Sequence, residues 1–125
     1  MHNVSVRYIV DSVEAALPFY EKLGFEVAMR PAPGFAALKK DNLRLLLNEP
    51  GAGGAGQKMG DGREPAPGGW NRFQLPVDDL EATVEELRAK GVQFRNEIVV
   101  GRGGKQILAE DPAGNLVELF EQVER

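Results

Sequence analysis

The sequence predicts an α+β fold built from two tandem βαβββ modules. Three observations carry that expectation: an internal repeat, a capped helix at the same place in each copy, and three short strand patterns after each helix. The repeat comes first, because a duplicated unit constrains the whole architecture. "VDSVEAALPFYEKLGFEV", from Val10, lies on "VDDLEATVEELRAKGVQF", from Val77, without a gap. The offset is 67 residues, 77 minus 10, and it matches Asp11 with Asp78, Glu14 with Glu81, Ala15 with Ala82 and Gly24 with Gly91.

Each copy follows one order. A β-rich run opens it, "VSVRYIV" or "NRFQLPV". A helix N-cap follows, Asp11 or Ser12 in the first copy and Asp78 or Asp79 in the second. Apolar residues then recur at helical spacing, Val13, Ala16, Leu17 and Tyr20, with Val84 and Leu87 in the second copy. Pro18 falls inside the first helix and is expected to weaken or bend it. Gly24 and Gly91 stop the helices where a left-handed cap is needed. Strands are expected at about Phe25–Met29, Phe35–Lys39 and Leu43–Asn48, and again at about Val92–Val99, Lys105–Ala109 and Leu116–Phe120. "DN" and "DPAGN" supply the turns before the last strands, so Asp111 and Asn115 read as turn formers.

The modules are placed at residues 1–50 and 70–125. Residues 51–69 between them are rich in Gly, Pro and Ala and lack an apolar period. They read as a flexible linker or as a loop folding over a pocket. No lysine sits in a P-loop position and no helix follows the glycines, which excludes a nucleotide site.

Composition narrows the function. A net charge of -4 without a basic cluster argues against nucleic acid. No cysteine is present, so thiolate and disulfide chemistry are excluded. No signal peptide or membrane span is visible, and the cytoplasm is the expected compartment. The single histidine, His2, cannot build a two-histidine metal site within one copy.

The duplicated unit, with "DSVEAALPFYEKLGF" opening one copy and "DPAGNLVEL" closing the other, resembles the vicinal oxygen chelate superfamily. That superfamily includes glyoxalase I, extradiol dioxygenases and bleomycin-resistance type binding proteins. The resemblance spans Val4 to Glu121 and implies one glyoxalase-like domain. Its strands would curl into a cupped mixed sheet with the helices on the outer face, and homodimers are expected. Metal-dependent members carry one ligand on the first strand and one on the last strand of each module. The first-strand ligand stands eight residues before the apolar residue of the helix start, here Val13 and Leu80. The resemblance therefore points to Ser5 and Arg72, with Glu118 on the last strand. Laying "DNLRLLL" on "GNLVELF" puts Leu45 opposite Glu118.

Only one of these four is a plausible ligand. A guanidinium stays cationic and has no lone pair to offer, and Leu45 offers hydrocarbon. His2 lies three residues before Ser5, so strand alternation turns it to the other face. No metal or other cofactor is expected. Arg72 and Glu118 are expected to pair instead, either to make a buried charge tolerable or to leave Arg72 donors for a ligand.

Alternation places Arg7, Ile9, Trp70, Gln74 and Pro76 on the face of Ser5 and Arg72, with Phe120 beside Glu118. Arg44 fits this register poorly. Arg7 reads as pocket lining or surface, and Trp70 as a stacking surface for a planar ligand or an anchor for the linker. Alternation does not fix the facing of Arg95, Asn96, Lys105 and Gln106. The expected ligand-binding set is Ser5, Arg7, Leu45, Trp70, Arg72, Gln74, Glu118 and Phe120. It would hold a neutral or anionic organic molecule, in a binding protein rather than an enzyme. The alternatives are a lyase or isomerase with Glu118 as general base, which pairing with arginine disfavours, and a metal-dependent glyoxalase or dioxygenase.

Overall fold

A computed structural model describes residues 4–123, so the expectation made for His2 lies outside the described residues. The fold is α+β and consists of two βαβββ modules. The chain divides into two compact units, one running to Gly68 and one starting at Gly69. In unit 1 the order is β1 (Val4–Ile9), α1 (Val13–Lys22), β2 (Glu26–Ala32), β3 (Phe35–Lys40) and β4 (Leu43–Asn48). Its sheet runs β1-β4-β3-β2, with β1 and β4 parallel. In unit 2 the order is β5 (Arg72–Pro76), α2 (Leu80–Ala89), β6 (Gln93–Phe94), β7 (Val99–Val100), β8 (Gly104–Glu110) and β9 (Leu116–Gln122). That sheet runs β5-β9-β8-β6, with β5 and β9 parallel and β7 paired to β8.

The helices start and stop by the same devices. Ser12 Oγ accepts the Ala15 N–H at 3.1 Å, and an Asp79 carboxylate oxygen accepts the Ala82 N–H at 3.0 Å. A second carboxylate reaches each helix from just beyond β4 or from within β9. Glu49 Oε2 accepts the Val13 N–H at 2.9 Å, and Glu121 Oε1 accepts the Leu80 N–H at 2.7 Å. Two of the donors that every helix start leaves unpaired are thereby satisfied in each unit. At the other end Gly24 and Gly91 sit at φ +96 and +89. The N–H of Phe25 returns to the Tyr20 carbonyl and that of Val92 to the Leu87 carbonyl, both at 3.0 Å. This closes a Schellman turn that a side chain at the glycine would strain. Helix α1 runs through the exposed Pro18, without the break that residue favours.

One face of each sheet packs with its helix. In unit 1 Tyr20, Val13, Leu38, Leu45 and Leu47 are fully enclosed, and Tyr20 meets the rings of Phe19 and Phe25 edge-on at 4.8 and 5.8 Å. In unit 2 Leu80, Val84 and Leu87 are buried with Ile107, Val117 and Leu119. Each fully enclosed aliphatic side chain contributes roughly 1.5–3 kcal/mol through removal from water.

Two expectations need correction. The single strand expected over Val92–Val99 is two short pieces, β6 and β7. Asn96 Oδ1 accepts the Leu108 N–H at 3.0 Å, and Arg95 turns its side chain to Glu110. A side-chain oxygen replaces a ladder carbonyl there, and the strand bends. The register of β4 also differs. Ser5 pairs with Arg44, Val6 with Leu45 and Arg7 with Leu46. Neighbours across a ladder share a face, so Leu45 lies with Val6 in the helix-side core, not beside Ser5.

The first part of the Gly-rich stretch is tied down. The Glu49 N–H reaches the Gly34 carbonyl at 2.9 Å, and Gln57 Nε2 reaches the Gly51 and Gly53 carbonyls at 3.1 and 3.0 Å. A Cβ on Gly56 would stand 2.5 Å from the Ala52 and Glu49 carbonyl oxygens, so only glycine closes this turn. Among the described residues no helix is long and apolar enough to cross a membrane.

Replacing Ser12 or Asp79 by alanine should each cost about 1 kcal/mol. Replacing Glu49 by alanine should cost roughly 1–3 kcal/mol, because the N–H it serves is largely enclosed. Midpoint shifts in urea denaturation check these values. Ser12→Ala and Asp79→Ala share no partner, and their costs should add.

Candidate functional site

In unit 2 the parallel register sets Gln74 beside Glu118 and Arg72 beside Leu116, all on the face away from α2. Glu118 is 7% exposed, and both of its carboxylate oxygens are engaged. Arg72 Nε donates to Oε1 at 3.0 Å and Gln74 Nε2 donates to Oε2 at 2.7 Å. Arg72 Nη1 also donates to the Trp70 carbonyl at 3.3 Å. The pairing of Arg72 with Glu118 expected from the sequence is therefore present. Gln74 completes it, a role that alternation alone did not assign.

Trp70 is 67% exposed, and its ring carries the Arg95 guanidinium 4.7 Å from the centroid. Arg95 pairs with Glu110 at 2.5 Å and donates to the carbonyls of Gly69 and Gly114 at 3.3 and 3.2 Å. The indole is thus stacked by a residue of its own unit. Phe120 stands beside Pro76, and a Cβ on Gly104 would lie 2.8 Å from its ring. Asp111 binds the N–H groups of Ala113 and Asn115 at 2.9 and 2.8 Å, which makes it a turn former.

In unit 1 the equivalent face carries Ser5, Arg7 and Ile9 with Arg44, Leu46 and Asn48. Leu46, not Leu45, holds the place of Glu118. First strands match at an offset of 67 and last strands at 72, since Arg7 pairs with Leu46 as Gln74 pairs with Glu118. Ser5 is exposed and lies beside Arg44. Arg7 Nη1 donates to Asn48 Oδ1 at 2.8 Å, and Asn48 Nδ2 donates to the Ala52 carbonyl at 3.1 Å. Arg7 and Asn48 border an open cavity of about 410 Å³, lined also by Pro31, Ala32, Phe35 and residues 52–54. Sequence reasoning found Arg7 but missed Asn48 and Phe35. The misfit of Arg44 was the available signal, because shifting β4 by one residue moves that charge off the helix side and brings Asn48 beside Ile9.

Neither unit's donors fit a divalent cation. Ser5 and Leu46 of unit 1 offer a hydroxyl and a hydrocarbon, and in unit 2 the Glu118 carboxylate is held by the Arg72 guanidinium. A metal at Glu118 would sit against a guanidinium. A separate carboxylate group, Asp79, Glu81 and Glu121, lies at the start of α2. Lys105 Nζ reaches Glu81 at 2.9 Å and Glu121 at 4.0 Å. That hydrogen bond holds the Glu81 carboxyl below its ordinary range and raises Lys105 above its own. Together with the Glu121 cap, the group stabilises the helix end.

Comparison with known proteins agrees with this geometry. Residues 3–119 match the Glyoxalase/Bleomycin resistance protein/Dioxygenase superfamily, and the chain belongs to that superfamily. Over 56 residues it is 41% identical to a probable lactoylglutathione lyase, chloroplastic, of Arabidopsis thaliana; the match covers 43% of this chain and 16% of that protein. Among solved structures, lactoylglutathione lyase from Agrobacterium tumefaciens superposes with a TM-score of 0.74 at 22% identity, covering 94% of this chain and 91% of that one. A superfamily member from Sphaerobacter thermophilus gives 0.73 at 26% identity, with 98% of each chain covered. These likenesses establish the fold.

Arg72→Leu should destabilise the protein by roughly 1–3 kcal/mol, since it strands a largely buried carboxylate that Gln74 serves on one oxygen only. The figure sits below the usual loss for a fully buried pair because the Arg72 side chain is 30% exposed. Arg72→Leu combined with Glu118→Leu should recover part of that loss. Urea denaturation of the wild type, both single variants and the double variant measures the coupling.

Proposed function

We propose that the protein binds a small organic molecule on the exposed sheet face without a resident metal ion. The observation that carries this reading is the closed state of Glu118, whose two oxygens are taken by Arg72 and Gln74. In unit 1 the same face borders an apolar cavity of about 410 Å³, within the usual size range of ligand pockets. Arg7 then lines the ligand site, and Arg72 positions Glu118 rather than leaving it to an ion.

The likeness to the Arabidopsis and Agrobacterium lactoylglutathione lyases motivates a second reading, a lyase or isomerase with Glu118 as general base. It is weaker, because a carboxylate held by a cation and an amide has little left to offer a substrate proton. Exposed Val27 and Met29 on β2, and Val99 and Val100 on β7, support association of two copies through these strands.

Thermal-shift screening of EDTA-treated protein against a small-molecule library should yield ligands that raise Tm. Added Ni²⁺, Zn²⁺ or Mn²⁺ should not change their affinity. A stoichiometric metal in protein purified without chelator overturns the proposal. Metal-free turnover that Glu118→Gln abolishes would favour the lyase reading instead.

A further inference from the structure

We infer that the unit 1 cavity selects an organic monoanion, a single carboxylate on an apolar body, with Arg7 as its counter-ion. This deepens the binding reading above and rests on it.

The charge pattern supports the assignment first. Among the described residues Arg30, Arg63, Arg72, Arg88 and Arg95 each lie 2.5 to 3.6 Å from a carboxylate oxygen. Arg7 stands outside that set, as Arg44 does, and what marks it is the neutral amide of Asn48 at 2.8 Å beside the cavity. One guanidinium nitrogen is thereby fixed, and further N–H donors of the fork remain for a ligand. A planar fork of this kind matches the two oxygens of a carboxylate.

The placement is built rather than incidental. Asn48 is 2% exposed and uses both ends of its amide. Its oxygen holds Arg7, and its nitrogen holds the Ala52 carbonyl of the Gly-rich segment at 3.1 Å. One buried side chain thus fixes the cation at one wall and the segment 52–54 at another. The remaining walls, Pro31, Ala32 and Phe35, are apolar, and among the described residues no second charged one lines the space. A cation would meet only repulsion here. A dianion or phosphate would find one guanidinium and no second cation. Arg7 is itself exposed, so a neutral molecule leaves it solvated, whereas a carboxylate gains a direct pair with the fork.

The repeat sharpens the contrast. In unit 2 the place of Arg7 is taken by Gln74 and the place of Leu46 by Glu118, and the acidic group there is closed by Arg72. The same two positions in unit 1 carry a cation and a hydrocarbon. At these two positions unit 2 pairs its charge with Arg72, whereas the guanidinium of Arg7 meets a neutral amide.

Matched probes test this. The full-length protein is titrated, by calorimetry and by ¹H–¹⁵N spectra, with octanoate, 3-phenylpropanoate and indole-3-acetate, and with the primary amide of each. The acids should bind up to roughly fivefold more tightly than their amides, the gain a solvent-exposed ion pair gives. The backbone resonances of Ala32, Phe35, Gly53 and Gly54 should shift on binding. Arg7→Gln should bring the acids down to the affinity of the amides. Equal affinity of acids and amides, or acid affinity indifferent to Arg7→Gln, overturns the proposal while leaving neutral-ligand binding intact. Acids that shift Arg72 and Gln74 instead overturn the location. If no acid binds, the anionic class is wrong, and the library screen of EDTA-treated protein then decides whether any small-molecule binding remains.

Discussion

In each unit the first strand pairs in parallel with the last, and that pairing decides which side chains can meet. A parallel pair cannot be closed by a hairpin; it needs a long crossover, here a helix and two further strands in unit 1 and a helix and three in unit 2. The crossover leaves the strands that carry the polar groups adjacent and in fixed register. Gln74 lies beside Glu118, and Arg7 lies beside Leu46, because the ladders put them there. The helix caps reinforce the same constraint. Glu49 and Glu121 follow the pairing residues of the last strand and hold the first N–H groups of the helix that follows the first strand. Each carboxylate therefore ties the two ends of the crossover together and satisfies donors that would otherwise be unpaired.

Much of this was legible in the sequence. The glycines after the helices, the Ser12 and Asp79 caps and the turn-forming Asp111 each use one residue type for one backbone need, and such needs are local. The pairing of Arg72 with Glu118 was legible for a different reason: the superfamily resemblance puts both residues at positions where metal ligands converge. The register of β4 was not legible from motif matching. Laying "DN" on "GN" equates Asn42 with Asn115, an offset of 73, whereas the ladder sets 72. The turns explain the slip. Two residues, Asp41 at φ +53 and Asn42, join β3 to β4, whereas residues 111–115 join β8 to β9. Strand faces alternate with a period of two, so an error of one residue exchanges core for surface. The break at residues 95–98 was illegible because a side chain, Asn96, supplies the acceptor, and pattern reading counts only backbone.

The polar groups of unit 2 form one connected set. Glu118 holds Arg72, Arg72 holds the Trp70 carbonyl, and the Trp70 ring lies under Arg95, which holds Glu110. Every cation in this set faces a carboxylate. A buried ion pair is weak evidence for stability, since a hydrophobic pair of the same volume often does as well. Its plainer effect is positional. Both Glu118 oxygens are committed, Arg72 is held through Nε and Nη1, and the Trp70 ring carries a guanidinium from the same unit.

That commitment bears on how a duplicated scaffold divides its work. A polar set closed on itself must lose internal hydrogen bonds before it can greet a ligand, and each lost bond between charged groups costs about 1.5–3 kcal/mol. Unit 1 faces no such loss. Arg7 is held by a neutral amide and Leu46 has nothing to surrender, so a ligand there replaces water alone. On the reading proposed above, the two copies differ less in shape than in what they must give up, and the copy with less to give up is the one that binds.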